Sequence, residues 1–179
     1  MLLTIAKITT LGAWLIFWTF ILILKIINKA EVEPQLTGKS GKFSTSVIII
    51  FFTLLYSLLW TNGSLAGNYL PANWVLALSF LGFITLIGGL SLAIWSVWTL
   101  GNSWSVSTAA PINLPLKQAG PYSFLRHPVY LAYLLIWLGS VLMFINPFGL
   151  LLGIFLLIPA LKIRVKTEEQ NLLSIYGNA

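Results

Sequence analysis

The sequence predicts an all-α integral membrane protein with about five transmembrane helices, and three observations carry that prediction. Apolar residues make up 58% of the chain and charged residues only 8%. A soluble domain averages about 25% charged residues, so this chain lacks the polar surface that a water-exposed fold needs. No charged residue occurs between Lys42 and Lys117, or from Pro128 to Leu161. The first stretch has room for two spans of about 20 residues and the second for two shorter ones. Turn-forming runs divide both: Thr61-Asn62-Gly63-Ser64 and Pro71-Ala72-Asn73 in the first, Asn146-Pro147 in the second.

Taken in order, Ile8 to Ile27 predicts the first helix. No small-residue cleavage site follows it, so it reads as an anchor rather than a removed signal peptide. The second and third helices are expected over residues 44–61 and 74–99. Pro128 suits the first turn of a helix and should open the fourth. The fifth follows Asn146-Pro147, and Pro159 should kink it near its end and free a backbone carbonyl. Gly149 and Gly153 form a small-xxx-small pair suited to close helix packing. Beyond the fifth span, Arg164, Glu168 and Glu169 lie on its helical continuation. Leu172, Leu173, Ile175 and Tyr176 give this C-terminal amphipathic helix an apolar side.

Orientation follows from lysine and arginine. The first loop holds Lys25, Lys29, Lys39 and Lys42, the third holds Lys117 and Arg126, and the tail holds Lys162, Arg164 and Lys166. The second and fourth loops hold none. With five spans, the N-terminus is expected outside and the C-terminus in the cytoplasm, with Lys7 alone dissenting.

Composition also excludes several chemistries. Without cysteine, disulfides, thiolate nucleophiles, Cys-ligated zinc and iron–sulfur clusters are ruled out. One histidine and four carboxylates are few for a multi-ligand metal site, and no metal is expected. No G-x-G-x-x-G follows a strand pattern, which excludes a Rossmann-type nucleotide domain. The net charge of +6 comes from residues that flank apolar spans, which points to a membrane surface and not to nucleic acid.

The polar chemistry lies downstream. Residues 1–99 read as three scaffold helices that also provide access for a lipophilic substrate. Residues 100–179 read as a cofactor-binding loop, a two-helix hairpin and the C-terminal helix. The loop from Leu100 to His127 is long, sparsely charged and contains Pro111, Pro115 and Pro121. Irregular backbone of this kind near a membrane persists where protein buries it or where it lines a cavity. Arg126 and His127 are expected at the N-terminus of the fourth helix, beside free N–H groups and the positive end of the dipole, an anion-binding arrangement. Tyr130 falls on the same face, three residues after His127. Arg164 and Glu168, four apart, share a face of the continuation helix. The fourth and fifth spans are consecutive antiparallel helices, so Arg126, His127, Tyr130, Arg164 and Glu168 should converge at one depth. Ionisable groups at membrane depth are functional candidates by default. Taken singly, these residues also fit plainer roles as positive-inside anchors, a helix cap and an intrahelical ion pair.

Gly120-Pro121-Tyr122, three residues, Arg126-His127-Pro128-x-Tyr130, a hairpin, and Arg164-x-x-x-Glu168-Glu169 resemble the isoprenylcysteine carboxyl methyltransferase and phospholipid methyltransferase superfamily. Leu100-Gly101-Asn102-Ser103-Trp104-Ser105 is similar to it as well, so the resemblance spans residues 100–177. It implies a membrane enzyme that uses S-adenosylmethionine, with Tyr122, His127, Pro128, Val129, Tyr130 and Glu168 around the cofactor. Leu114, Pro115, Leu116 and Lys117 match a further cofactor-contacting segment by position, and Arg126 joins the cofactor side. Arg164 matches the arginine on the substrate side, where Trp104 of the loop is also expected. Arg164, Glu168 and His127 are the candidate catalytic residues. Ala132 stands where the family usually has glycine, and the chain stops at Tyr176-Gly177-Asn178-Ala179 where the family usually continues with tyrosines and a basic tail.

Residue chemistry agrees with that cofactor. An arginine or histidine at a helix N-terminus suits its carboxylate, Glu168 its ammonium, and tyrosines its adenine or sulfonium. Transfer to a carboxylate acceptor needs no general base, whereas an amine or thiol must lose a proton, with His127 or Glu168 as the nearby bases. The expected acceptor is lipophilic: an isoprenylcysteine-type carboxylate, with a phospholipid amine or small thiol as other candidates. Two readings from other classes stay open on the residues alone. One is an NADPH-dependent membrane reductase related to sterol reductases. The other is a non-enzymatic membrane subunit. Membrane lipids are expected partners, and a prokaryotic plasma membrane or the endoplasmic reticulum fits the chain.

Overall fold

A computed structural model of the chain describes residues 4, 5, 7–13, 15, 16, 19, 39–62, 69–101 and 118–177. Every extended element among them is helical. In order these are α1 (Lys39–Asn62), α2 (Ala72–Leu100), a 3₁₀ turn (Gly120–Ser123), α3 (Pro128–Phe144), α4 (Pro147–Leu152), a π-helical turn (Gly153–Leu157) and α5 (Ile158–Tyr176). Residues 7–13 are helical, as expected for the first span; much of Ile8–Ile27 lies outside the described residues. Two helices are long and apolar enough to cross a membrane, Ala72–Leu100 and the continuous run Pro147–Ser174, while Ser46–Leu59 and Pro128–Phe144 are shorter apolar helices.

Several boundaries differ from the sequence expectation. α1 starts at Lys39, not residue 44: no proline intervenes, and Gly41 falls within its first turn, where a weak helix former costs little. α2 gains Ala72 and Asn73, since Pro71 is compatible with the position just before a helix. The irregularity expected at Pro159 lies instead in the π turn just upstream of it. Proline at 159 leaves the carbonyl of Phe155 without its normal i+4 donor, and the wider turn absorbs that defect, so the helix runs on to Tyr176.

α3 starts at Pro128. It turns into α4 within two residues: Ile145 takes the left-handed conformation (φ 48°, ψ 51°), and Asn146 caps α4 by accepting from the N–H groups of Phe148 (3.1 Å) and Gly149 (3.2 Å). Asn146 is 1% exposed. Its side chain therefore satisfies two helix-end donors where water is scarce. Asn146→Ala is expected to destabilise the folded protein by about 1–2 kcal/mol, measurable as a lowered thermal midpoint in detergent.

α2 packs chiefly on α3, and α1 on α5 with the π turn and α4. The α2–α3 contact is backbone against backbone. A Cβ on Gly139 would sit 2.5 Å from Leu86 N and 2.7 Å from Gly82 O, and one on Gly82 would sit 2.6 Å from Met143 N. Small residues permit this approach where lipid supplies no hydrophobic drive between helices. Gly149 and Gly153 serve differently. The first lies against the side chains of Val141 and Leu55, and the second makes room for the Trp137 indole, whose Nε1 donates to Gly149 O at 2.9 Å. The shared core is formed by Phe51, Leu55, Leu86, Ala93, Ile136 and Leu157, with their neighbours.

The outer surface is apolar as well. On α2, Phe80, Leu81, Ile84 and Trp98 are all more than half exposed, an arrangement suited to lipid and costly in water. Thr85 on that helix donates to Leu81 O, and Thr53 on α1 to Ile49 O. Each hydroxyl is thus satisfied by its own helix, as a lipid-facing polar group requires. Trp74 and Trp98, 58% and 72% exposed, lie about 36 Å apart at ~1.5 Å rise per residue, which matches tryptophans at the two interfaces of a bilayer.

Candidate active site

The Gly120–Ser123 turn is seated on the C-terminal end of α2. Gly120 has φ +56°, and a Cβ there would meet Thr99 Oγ1 at 2.8 Å and Trp95 Nε1 at 3.2 Å. Only glycine combines that backbone with that proximity. Pro121 is fully buried beneath the turn, and Phe124 lies 6.3 Å from Trp95, ring to ring. The turn fixes the approach to Pro128, also buried, and so aims His127 and Tyr130. Gly120→Ala is expected to distort this approach and to lower any activity of the site more than tenfold, while the helix content read by circular dichroism stays near wild type.

His127 sits just before α3, with its ring stacked on Tyr130 at 5.5 Å and 17°. The backbone makes this possible, because the N–H of Tyr130 donates to His127 O at 3.1 Å and winds the first turn. Across from them, one face of α5 supplies Arg164, Glu168 and Glu169. Arg164 Nε donates to the Tyr130 hydroxyl at 3.0 Å, and that hydroxyl donates to Glu168 Oε2. The guanidinium carbon lies 5.8 Å from the centre of the Tyr130 ring. His127 faces both carboxylates, with Nε2 3.3 Å from Glu169 Oε1 and Nδ1 3.9 Å from Glu168 Oε2.

Arg164 is only 7% exposed. A guanidinium at that burial requires polar partners, and here the Tyr130 hydroxyl stands between it and Glu168. Tyr122 completes the cluster from the loop side. Burial pushes its phenol well above the ordinary value, and the negative charge of Glu168 pushes it further. It therefore stays protonated at neutral pH, as an O–H donor.

The structure brings together His127, Tyr130, Arg164 and Glu168, with Tyr122 close by. Arg126 is exposed and stands outside the contacts of this cluster. Val129 packs against the apolar core. Ala132, in the position usually held by glycine, is fully buried. Trp104 and Leu114, Pro115, Leu116 and Lys117 lie outside the described residues. Two members of the site were not among the candidate site residues read from sequence. Glu169 belongs to the Arg164-x-x-x-Glu168-Glu169 pattern, and its contact with His127 follows from facing helices. Tyr133, one turn after Tyr130, lies 6.4 Å from it, and the i, i+3 spacing was its signal.

Beside the cluster, a groove of about 440 Å³ opens between α3 and α5. Leu131, Leu134, Ile158, Leu161 and Val165 line it, Tyr130 and Glu169 close its site end, and Lys162 and Lys166 edge it.

Apolar helices, a buried arginine and two carboxylates held against tyrosine and histidine define a helical protein with an ionic site at the end of a lipid-facing hairpin. Residues 80–174 match the isoprenylcysteine carboxyl methyltransferase family, and the chain belongs to that family. It is 32% identical over 99 residues to a Protein-S-isoprenylcysteine O-methyltransferase of Saccharomyces cerevisiae. That stretch is 54% of this chain and 41% of the yeast protein, so the chain spans less than half the length of the curated relative it matches. No solved structure matches it.

Proposed function

We propose that this chain is an S-adenosylmethionine-dependent integral membrane methyltransferase whose acceptor is a lipophilic carboxylate of isoprenylcysteine type. The observation that carries the reading is the buried Arg164 joined through Tyr130 to Glu168, with His127 alongside, inside the segment that matches the family. The donor set suits the cofactor. Glu168 and Glu169 keep 34% and 46% of their side-chain surface exposed and offer negative charge to an ammonium or sulfonium. The stacked rings of His127 and Tyr130 offer an aromatic face to a cation or an adenine. When bound, S-adenosylmethionine supplies a methyl group on a sulfonium whose carbon–sulfur bond breaks with its electron pair returning to sulfur.

The chain's own residues bind and orient. Glu168 and Glu169 hold positive charge at the α5 side, and Tyr122 presents an O–H donor from the loop. Arg164, kept in orientation by Tyr130, faces the acceptor's carboxylate. A carboxylate acceptor carries no proton to remove, so His127 acts by position and not as a base. Opposite charges on donor and acceptor diminish on the way to the transition state, and a water-poor site at the membrane boundary favours that change. The helices of residues 1–99 serve as scaffold around this site. The loop charges favour a cytoplasmic C-terminus, and a prokaryotic plasma membrane or the endoplasmic reticulum would suit the chain.

Calorimetry on the detergent-purified protein tests this directly. S-adenosylmethionine is expected to bind in the micromolar range, with NADPH giving no heat, and Glu168→Ala or His127→Ala is expected to weaken binding about tenfold or more. Absence of cofactor binding by folded protein would overturn the reading. Undiminished binding by both variants would overturn the residue assignment alone.

A further inference from the structure

The groove between α3 and α5 has an asymmetry that the cofactor cluster does not explain. Its floor is aliphatic, from Leu134 and Ile158 at the deep end to Leu131 and Val165 near the site. Its edge carries Lys162 and Lys166, one helical turn apart on the same face of α5 and both exposed. Neither lysine makes an ion pair among the described residues. The two lysines therefore place two positive charges, against the single carboxylate of Glu169, along an apolar channel whose lining includes Tyr130. The volume falls within the roughly 300–1,000 Å³ of small-molecule sites.

We propose that Lys162 and Lys166 are specificity-determining residues that select an acceptor with an anionic head on a single apolar chain, seated in this groove. The inference rests on the methyltransferase reading above and adds to it the means of choosing a carboxylate over an amine. A cationic head is repelled by two ammonium groups and a zwitterionic head gains little from them, whereas a carboxylate gains up to about fivefold in affinity from each exposed lysine that it pairs with. The same charges act on release. The acceptor's carboxylate oxygen forms a bond to the methyl carbon as the methyl's bond to sulfur breaks, and the resulting ester is neutral. The lysines then hold the product less tightly than the substrate, and it leaves along the apolar floor into the bilayer.

The test is a binding comparison independent of turnover. Equilibrium binding of N-acetyl-S-farnesylcysteine and of its methyl ester is measured on the full chain in neutral detergent. Wild type is compared with a Lys162→Gln/Lys166→Gln variant and a charge-retaining Lys162→Arg/Lys166→Arg variant. Wild type is expected to prefer the carboxylate about tenfold or more, with the preference falling as salt rises. The glutamine variant is expected to lose that preference through weaker carboxylate binding with unchanged ester binding, and the arginine variant to keep it. An unchanged carboxylate-to-ester ratio in the glutamine variant would overturn the proposal. So would displacement of the carboxylate by phosphatidylglycerol at equal concentration, which would make the groove a general anionic-lipid site. Calorimetry with S-adenosylmethionine on the same samples reports separately on the methyltransferase reading, so the two failures are distinguishable.

Discussion

Arg164→Ala is expected to lower kcat/KM for methyl transfer by two to three orders of magnitude. The reason lies in what surrounds the guanidinium. It is nearly inaccessible to water, and its Nε orients the hydroxyl that donates to Glu168. Alanine removes the cation and leaves a carboxylate beside a misoriented tyrosine. Truncating one partner of a buried, hydrogen-bonded charge arrangement costs about 2–5 kcal/mol. Arg164→Lys keeps the charge but lacks the planar fork and its Nε–H, so it is expected to recover only a small part of the loss. Steady-state kinetics on both variants, with circular dichroism to verify folding, checks the ordering wild type, then lysine, then alanine. Equal activity of the alanine variant and wild type would remove Arg164 from the site.

The second large effect is structural. Gly139→Ala is expected to destabilise the protein by about 1–3 kcal/mol or more, and Gly139→Leu to prevent the native α2–α3 contact altogether. A Cβ at this position would stand 2.5 Å from Leu86 N and 2.7 Å from Gly82 O. Both obstacles are backbone atoms, which cannot rotate away, so the helices must separate along their whole contact. Because the Gly120 turn is seated on the end of α2 while His127 and Tyr130 begin α3, that separation also moves the two supports of the site apart. Thermal unfolding in detergent is expected to show a midpoint lower by several degrees for alanine. A neutral result would mean that the two helices do not pack through this glycine.

How far the sequence foretold these features depends on the kind of signal involved. The all-helical character was legible because uncharged stretches bounded by turn residues leave few alternatives. Pro128 and Asn146-Pro147 fixed the hairpin to the residue, since proline and an N-cap asparagine have strict positional meaning. Convergence of His127, Tyr130, Arg164 and Glu168 was legible for the same reason, as a short hairpin forces the far ends of its helices together. Arg126 does not follow from the same spacing. Its neighbour His127 turns inward over Tyr130 while Arg126 stays exposed, and a loop residue's direction depends on local backbone angles that spacing does not encode. The glycines tell a similar story. Gly149 and Gly153 were conspicuous by spacing, yet the backbone-to-backbone contact runs through Gly82 and Gly139, which lie on different helices and carry no shared motif. The π turn was signalled by Pro159, but only its surroundings decide on which side of the proline the helix adjusts. Glu169's contact with His127 depended on the relative rotation of α3 and α5.

Methyl transfer to a lipid-phase carboxylate is the activity proposed for the cluster between the start of α3 and the middle of α5. Its most direct test supplies purified protein with methyl-labelled S-adenosylmethionine and an S-farnesylated cysteine carboxylate in detergent, then measures base-labile label in the organic phase. Label is expected in a methyl ester with wild type, and at least a hundredfold less with Arg164→Ala. Folded wild-type protein that forms no labelled ester, or an Arg164→Ala variant that forms it at the wild-type rate, would contradict it.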